Sequence, residues 1–118
     1  MKINRKEVFS KYDGRCAYCG AEITMKNFQV DHIFPKCQHE IKAHNKRIKI
    51  DIHGISNLNP SCRECNNYKG SWELEEFRYE LSMQVNRLRD KSQFKRAIKF
   101  GQLQETTSSI VFYFENIT

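Results

Sequence analysis

Four of the five cysteines fall in two pairs of one spacing, Cys16-x-x-Cys19 and Cys62-x-x-Cys65, and 42 residues separate the pairs. In Arg15-Cys16-Ala17-Tyr18-Cys19-Gly20 the pattern reads as a knuckle. Two sulfurs converge from a tight turn, and Gly20 can take the positive φ such a turn needs. In Pro60-Ser61-Cys62-Arg63-Glu64 the second pair opens a helix. Ser61 and Glu64 have the spacing of a capping box, and Cys62 and Cys65, one turn apart, share a face. One tetrahedral zinc ion on Cys16, Cys19, Cys62 and Cys65 accounts for all four. It would close the long intervening loop, and a chain of 118 residues, with its modest core, gains from such a staple. Buried reduced cysteines or two unrelated turns would also leave such pairs. A redox dithiol fits less well, because no βαβ pattern surrounds either pair. Cys37 is left over and reads as an ordinary thiol, since a tetrahedral zinc is complete with four sulfurs. The start, Met1-Lys2-Ile3-Asn4-Arg5-Lys6, is basic and lacks the apolar segment of a signal peptide. A cytoplasmic location is therefore expected, and a disulfide framework is not.

Between the pairs lies Val30-Asp31-His32-Ile33-Phe34-Pro35. An apolar run meets an acid and an imidazole side by side, and a proline closes it. Asp31 offers hard oxygens to an Mg²⁺-like cation, and His32 can take a proton from water near neutral pH. Together they suit metal-assisted hydrolysis. A strand end with one polar pair facing solvent would give the same dipeptide. Adjacent strand residues point to opposite faces, so both side chains reach one site only if the strand ends or twists there, and Pro35 offers an ending.

The remaining elements follow from periodicity. Asn4 to Tyr12 is a short helix or an extended lead-in. Phe28 to Ile33 reads as a strand, and Arg47-Ile48-Lys49-Ile50-Asp51-Ile52 alternates with period two, which predicts a second one. Gly54 marks a bend, and Gly70 ends the helix of the second cysteine pair. Leu74, Phe77, Leu81, Val85 and Leu88 form one amphipathic helix, with acids in its first turn and Arg87 and Arg89 in its last. Ser92 caps a further helix. Ser109 to Glu115, β-branched and aromatic, predicts a final strand. No linker divides the chain, so one domain over residues 1–118 is expected, with a core over about 11–70 and a helical and strand extension over about 71–118.

The formal charge is +6, from 20 Lys and Arg against 14 Asp and Glu. It suits a polyanionic partner as well as mere solubility. Lys36 to Lys49 carries five basic residues against one acid. No apolar run approaches bilayer length, so no membrane role is expected.

Taken together, Cys-x-x-Cys, Val-Asp-His-Ile-x-Pro, Asn-Leu-x-Pro and Cys-x-x-Cys-Asn-x-x-Lys-Gly resemble the HNH endonucleases of ββα-metal fold. The tail, from Leu74-Glu75-Glu76-Phe77-Arg78 to Phe112-Tyr113-Phe114-Glu115, is similar to small stand-alone HNH proteins of phages and mobile elements. The resemblance implies an α+β fold: a ββα-metal core stapled by the four-cysteine zinc, then C-terminal helices and the final strand. It also implies roles. His32 is the general base, and Asp31 and Asn66 hold a catalytic Mg²⁺ or Mn²⁺. Asn57 ties down the loop carrying the base, and Lys69 contacts phosphate. The residues agree in part. Asn66 follows Cys65, so zinc that fixes the helix fixes Asn66, and a carboxylate with an amide oxygen leaves open positions on a hard cation. Lys69 lies one turn from Asn66, on the same face. Asn57 alone would be a turn residue, Asn66 a surface amide and Lys69 a solvated charge. His39, His44 and His53 read as solvated imidazoles or phosphate contacts. The chain departs from the family in two places. Lys36 to His53 replaces a short Gly-rich loop with a longer basic one, and Asn66 stands where many members have His, which argues against a tightly held transition metal.

The expected function is a metal-dependent DNA endonuclease, nicking or cutting both strands. Lys36 to Lys49, with Lys46, Arg47 and Lys49 foremost, would grip DNA, as would Arg87, Arg89, Lys91, Lys95, Arg96 and Lys99, although either patch could be an ordinary solvated face. The alternatives are a zinc-stabilised DNA-binding module without turnover, such as a phage packaging accessory, and an RNA nuclease. The last ranks lower because no stacking array of the RNA-binding kind is visible.

Overall fold

The computed structural model describes residues 3–36, 51–106 and 108–117. Cys37, His39, His44, Lys46, Arg47 and Lys49, with most of the expected second strand, lie outside the described residues. The chain divides into two compact units: one runs to Leu74 and resumes at Val111, and the other is Glu75–Ile110.

The first unit opens with helix α1 (Arg5–Ser10), capped by Asn4, whose side-chain oxygen accepts the Glu7 N–H at 3.1 Å. A turn leads into the knuckle, where Gly20 has φ +79 and a Cβ would lie 2.9 Å from the Tyr113 ring. Glycine is thus required there twice over, by conformation and by space. Strand β1 (Gln29–His32) pairs antiparallel with β2 (Leu58–Ser61), placing Val30 opposite Pro60, Asp31 opposite Asn59 and His32 opposite Leu58.

This is not the second strand that alternation predicts. Asp51 and Ile52 enter a turn, closed by the Gly54 N–H on the Asp51 carbonyl at 2.9 Å, and are not in a strand. Asn59 and Pro60 disguise the true partner, since both are depleted in strands. They are tolerated because, among the described residues, β2 pairs with β1 alone, every residue of β2 is buried, and the Pro60 carbonyl accepts the Ala17 N–H at 2.8 Å.

Helix α2 (Arg63–Lys69) then carries the second cysteine pair. Its cap is Cys62 rather than Ser61: the Cys62 sulfur accepts the Cys65 N–H at 3.4 Å. A thiolate at a helix N-terminus also gains from the dipole. Ser61 is drawn into β2, buried, and its hydroxyl has no partner among the described residues.

The final strand is replaced by a helical turn, α6 (Tyr113–Asn116). The Glu115 carboxylate turns back to accept the Phe112 N–H at 2.8 Å. The Tyr113 and Phe114 N–H groups bond to the carbonyls of Tyr18 and Ala17 at 3.0 and 2.9 Å. Aromatic residues chosen for packing thus mimic a strand signal: Phe112 is buried and sits edge-on to Tyr18, ring centroids 5.2 Å apart. Val8, Ala17, Ile23, Phe28 and Leu58 complete this core.

The second unit is helical, with α3 (Leu74–Ser82), α4 (Gln84–Leu88) and α5 (Ser92–Lys99). The single helix expected from Leu74 to Leu88 breaks at Met83, whose N–H bonds to the Glu80 carbonyl three residues back at 3.3 Å. Arg87 pairs with Glu80 at 2.6 Å and Arg89 with Glu105 at 2.9 Å. Two residues of the expected substrate patch, Arg87 and Arg89, therefore carry carboxylate partners. Among the described residues no helix is long and apolar enough to cross a membrane.

Candidate active site and metal centre

The knuckle and the start of α2 bring Cys16, Cys19, Cys62 and Cys65 together with all four sulfurs within 4.8 Å of one another. Zn–S bonds of about 2.3 Å in a tetrahedron place the sulfurs about 3.8 Å apart, and the Cys19 and Cys62 sulfurs are 3.8 Å apart. The Tyr18 N–H on the Cys16 sulfur, at 3.4 Å, supports a thiolate there. Without a cation the four thiols compete for protons. The hydrogen bond from Cys65 pulls Cys16 well below the ordinary thiol value, and the same bond pushes Cys65 up. Burial pushes Cys19 up, to about 11. A dication lets all four ionise together, so the donor set fits a structural zinc.

The second cluster lies at the end of β1. Asp31, His32, Pro35, Lys36, Asn66 and Gly70 all line one cleft of about 320 Å³. The strand stops at His32 and the chain bends through Ile33 and Phe34, and the two adjacent residues border one cleft. Asn57 holds that bend. Its side-chain oxygen accepts the Phe34 N–H at 2.8 Å, and its amide donates to the carbonyls of Phe34 and Ile52 at 3.1 and 2.9 Å. Its own carbonyl accepts the Ile33 N–H at 2.9 Å.

Asp31 is buried and engaged on both oxygens. The Tyr18 hydroxyl donates to Oδ2, and the Lys69 ammonium lies 3.3 Å from each oxygen. Lys69 also donates to the His32 carbonyl at 2.9 Å, and Asn59 donates to the Tyr18 hydroxyl at 3.4 Å. Burial pushes the Asp31 carboxyl up, and Lys69 and Tyr18 pull it partly back. Lys69 is 1% exposed, so the residue expected to meet phosphate lies instead beneath the cleft. The face it shares with Asn66 turns inward at its last turn, where a buried carboxylate needs a counter-charge. Tyr18, hidden between the knuckle cysteines, and Asn59 belong to this network, and nothing in their sequence context signals it.

The pair also sets a stability prediction. Lys69→Met keeps the apolar stem and removes the charge, leaving Asp31 buried without its cation. Breaking a buried pair in this way costs about 3–5 kcal/mol. Urea unfolding of the zinc-loaded variant should show the lowered midpoint, and an unchanged midpoint would disprove the ion pair.

His32 is half-buried, and its Nε2 lies 3.0 Å from Nδ1 of His53. Burial, and then the charges of Lys36, His53 and Lys69, push its pKa down to about 4. Its imidazole is therefore neutral across the physiological range and has a lone pair to offer. His53 is the residue that sequence reasoning missed; it stands 21 positions after His32, and no spacing motif links the two. A carboxylate and an amide oxygen, from Asp31 and Asn66, are donors suited to a hard cation such as Mg²⁺, although Asp31 already holds an ammonium.

Residues 16–71 match the family model described as HNH endonuclease. No curated protein matches the chain. Among solved structures, the crystal structure of the Type II-C Cas9 enzyme from Actinomyces naeslundii is similar, with 19% identity and a TM-score of 0.51 over 89% of this chain and 11% of that one. The chain thus spans about a tenth of that protein's length, and the likeness is one of fold. With its α+β fold, its β1–β2 sheet and its four-cysteine cluster, the chain is similar to the HNH endonuclease family across residues 16–71.

Proposed function

We propose that this protein is a metal-dependent endonuclease that hydrolyses phosphodiester bonds in DNA. The observation that carries the reading is the shared cleft, which His32, Asp31 and Asn66 border together. His32 takes the proton of the attacking water. Asp31 and Asn66 hold a divalent cation, which when bound supplies Lewis-acid stabilisation of the scissile phosphate and the leaving 3′-oxygen. Asn57 keeps the base in place through Phe34. Asn66 follows Cys65 directly, so the zinc centre sets its position along α2. Lys69 neutralises Asp31, which leaves the cleft little negative charge of its own. Cation affinity should therefore be low until the phosphate of the substrate adds its own. Lys36, at the cleft wall, and the basic Lys46, Arg47 and Lys49 further along the sequence are the DNA-gripping residues of this reading.

The engaged Asp31 favours one rival, a zinc-stabilised DNA-binding module without turnover. Supercoiled plasmid separates the two. With zinc-loaded protein, added Mg²⁺ or Mn²⁺ should give nicked or linear product, and omission of both ions should leave the plasmid intact. Binding without cleavage under both ions would establish the rival.

A further inference from the structure

An imidazole that takes a proton from water must keep one ring nitrogen bare, and its other nitrogen needs an acceptor to hold the ring and its tautomer. In His32, Nε2 faces Nδ1 of His53 at 3.0 Å, with the rings edge to face, 78° between planes and 5.1 Å between centroids. Which ring donates depends on the tautomers. If His53 donates, the Nε2 lone pair of His32 is consumed and the proton of His32 sits on Nδ1, so no nitrogen remains to act on water. If His32 donates, its Nδ1 is bare, and His53 keeps its own proton on Nε2. Only the second arrangement contains a base.

We infer that His53 is the positioning residue of the site: its Nδ1 accepts the Nε2–H of His32, which fixes the ring and makes Nδ1 of His32 the proton-accepting nitrogen. The base role itself rests on the function proposed above. The backbone supports the pairing independently. The Asn57 amide donates both to the Phe34 carbonyl, two residues after His32, and to the Ile52 carbonyl, one residue before His53. On its other side His53 is followed by Gly54, whose N–H returns to the Asp51 carbonyl at 2.9 Å. One buried side chain therefore anchors both histidines, and the distance between them is set by the fold rather than by two free side chains.

The test uses the zinc-loaded full chain with His53→Ala and His53→Asn; the Asn amide oxygen can stand in for Nδ1. Long-range ¹⁵N NMR should find wild-type His32 wholly in the Nε2–H tautomer, with a mixture in His53→Ala. Plasmid cleavage by His53→Ala should lose about 10–100-fold in kcat, the usual effect of removing an outer partner, at unchanged KM, and His53→Asn should recover most of it. A Nδ1–H tautomer in the wild type, an unaltered kcat in His53→Ala, or a His53→Asn as slow as His53→Ala would each overturn the inference. A wild type that cleaves no plasmid would remove the nuclease reading. The tautomer would still decide whether His53 orients His32.

Discussion

Cys65→Ser should abolish both the bound zinc and the cooperative melting of the first unit. Structural zinc contributes an apparent free energy of about 10–16 kcal/mol at neutral pH. The whole stability of a domain is typically about 5–15 kcal/mol, so the ion is comparable to everything else combined. Its loss also has a definite path through the structure. The Ala17 N–H holds the Pro60 carbonyl of β2, and the carbonyls of Ala17 and Tyr18 hold the Phe114 and Tyr113 amides. Freeing the knuckle from α2 therefore loosens the sheet and the returning C-terminal segment together. Elemental analysis should find one zinc per wild-type chain and none in the variant, and circular dichroism should show the melting transition flattened. A metal-free variant that melts like the wild type would disprove the structural role of the ion.

What could be read from the sequence was whatever short spacing encodes. The two cysteine pairs, the Asp31-His32 dipeptide and Asn66 one residue past Cys65 are local patterns, and the fold brings the four sulfurs into one cluster and the other three residues into one cleft. What escaped depends on contacts distant in the chain. β2 is hidden by Asn59 and Pro60, and is a strand only because Ala17 satisfies the Pro60 carbonyl and Val30 and Asp31 lie opposite. Phe112 to Phe114 carry strand propensity that is spent on packing against Tyr18 and Tyr12. Lys69 looks solvated on a helix of its own. It is buried because Asp31, 38 residues away, needs a cation. The His32–His53 contact is invisible for the same reason, since it arises through Asn57.

Those long-range contacts also decide which substitutions test the chemistry cleanly. Asp31→Ala would strand the buried Lys69 ammonium, so its loss of activity would mix folding with catalysis. Asn66→Ala removes a half-buried, uncharged amide, and should weaken divalent-cation binding so that extra Mn²⁺ partly restores cleavage. His32→Ala should differ in kind. It should keep the zinc, the fold and DNA affinity, and lose about 10²–10⁴-fold in cleavage rate, the usual contribution of a general base, with no rescue by Mn²⁺. The wild-type pH profile carries the second signature. His32 is held down to about 4 from its usual 6.5 by burial and by Lys36, His53 and Lys69. A lowered value means that the proton is already gone at neutral pH, so the base form persists as pH falls through 6 and is lost only on approach to about 4. Cleavage should therefore show no inflection near 6.5, the usual imidazole value, and fall steeply below about pH 5. An inflection at the usual value would mean that His32 titrates as an exposed imidazole. Wild-type rates in His32→Ala would mean that the water is activated by some other group.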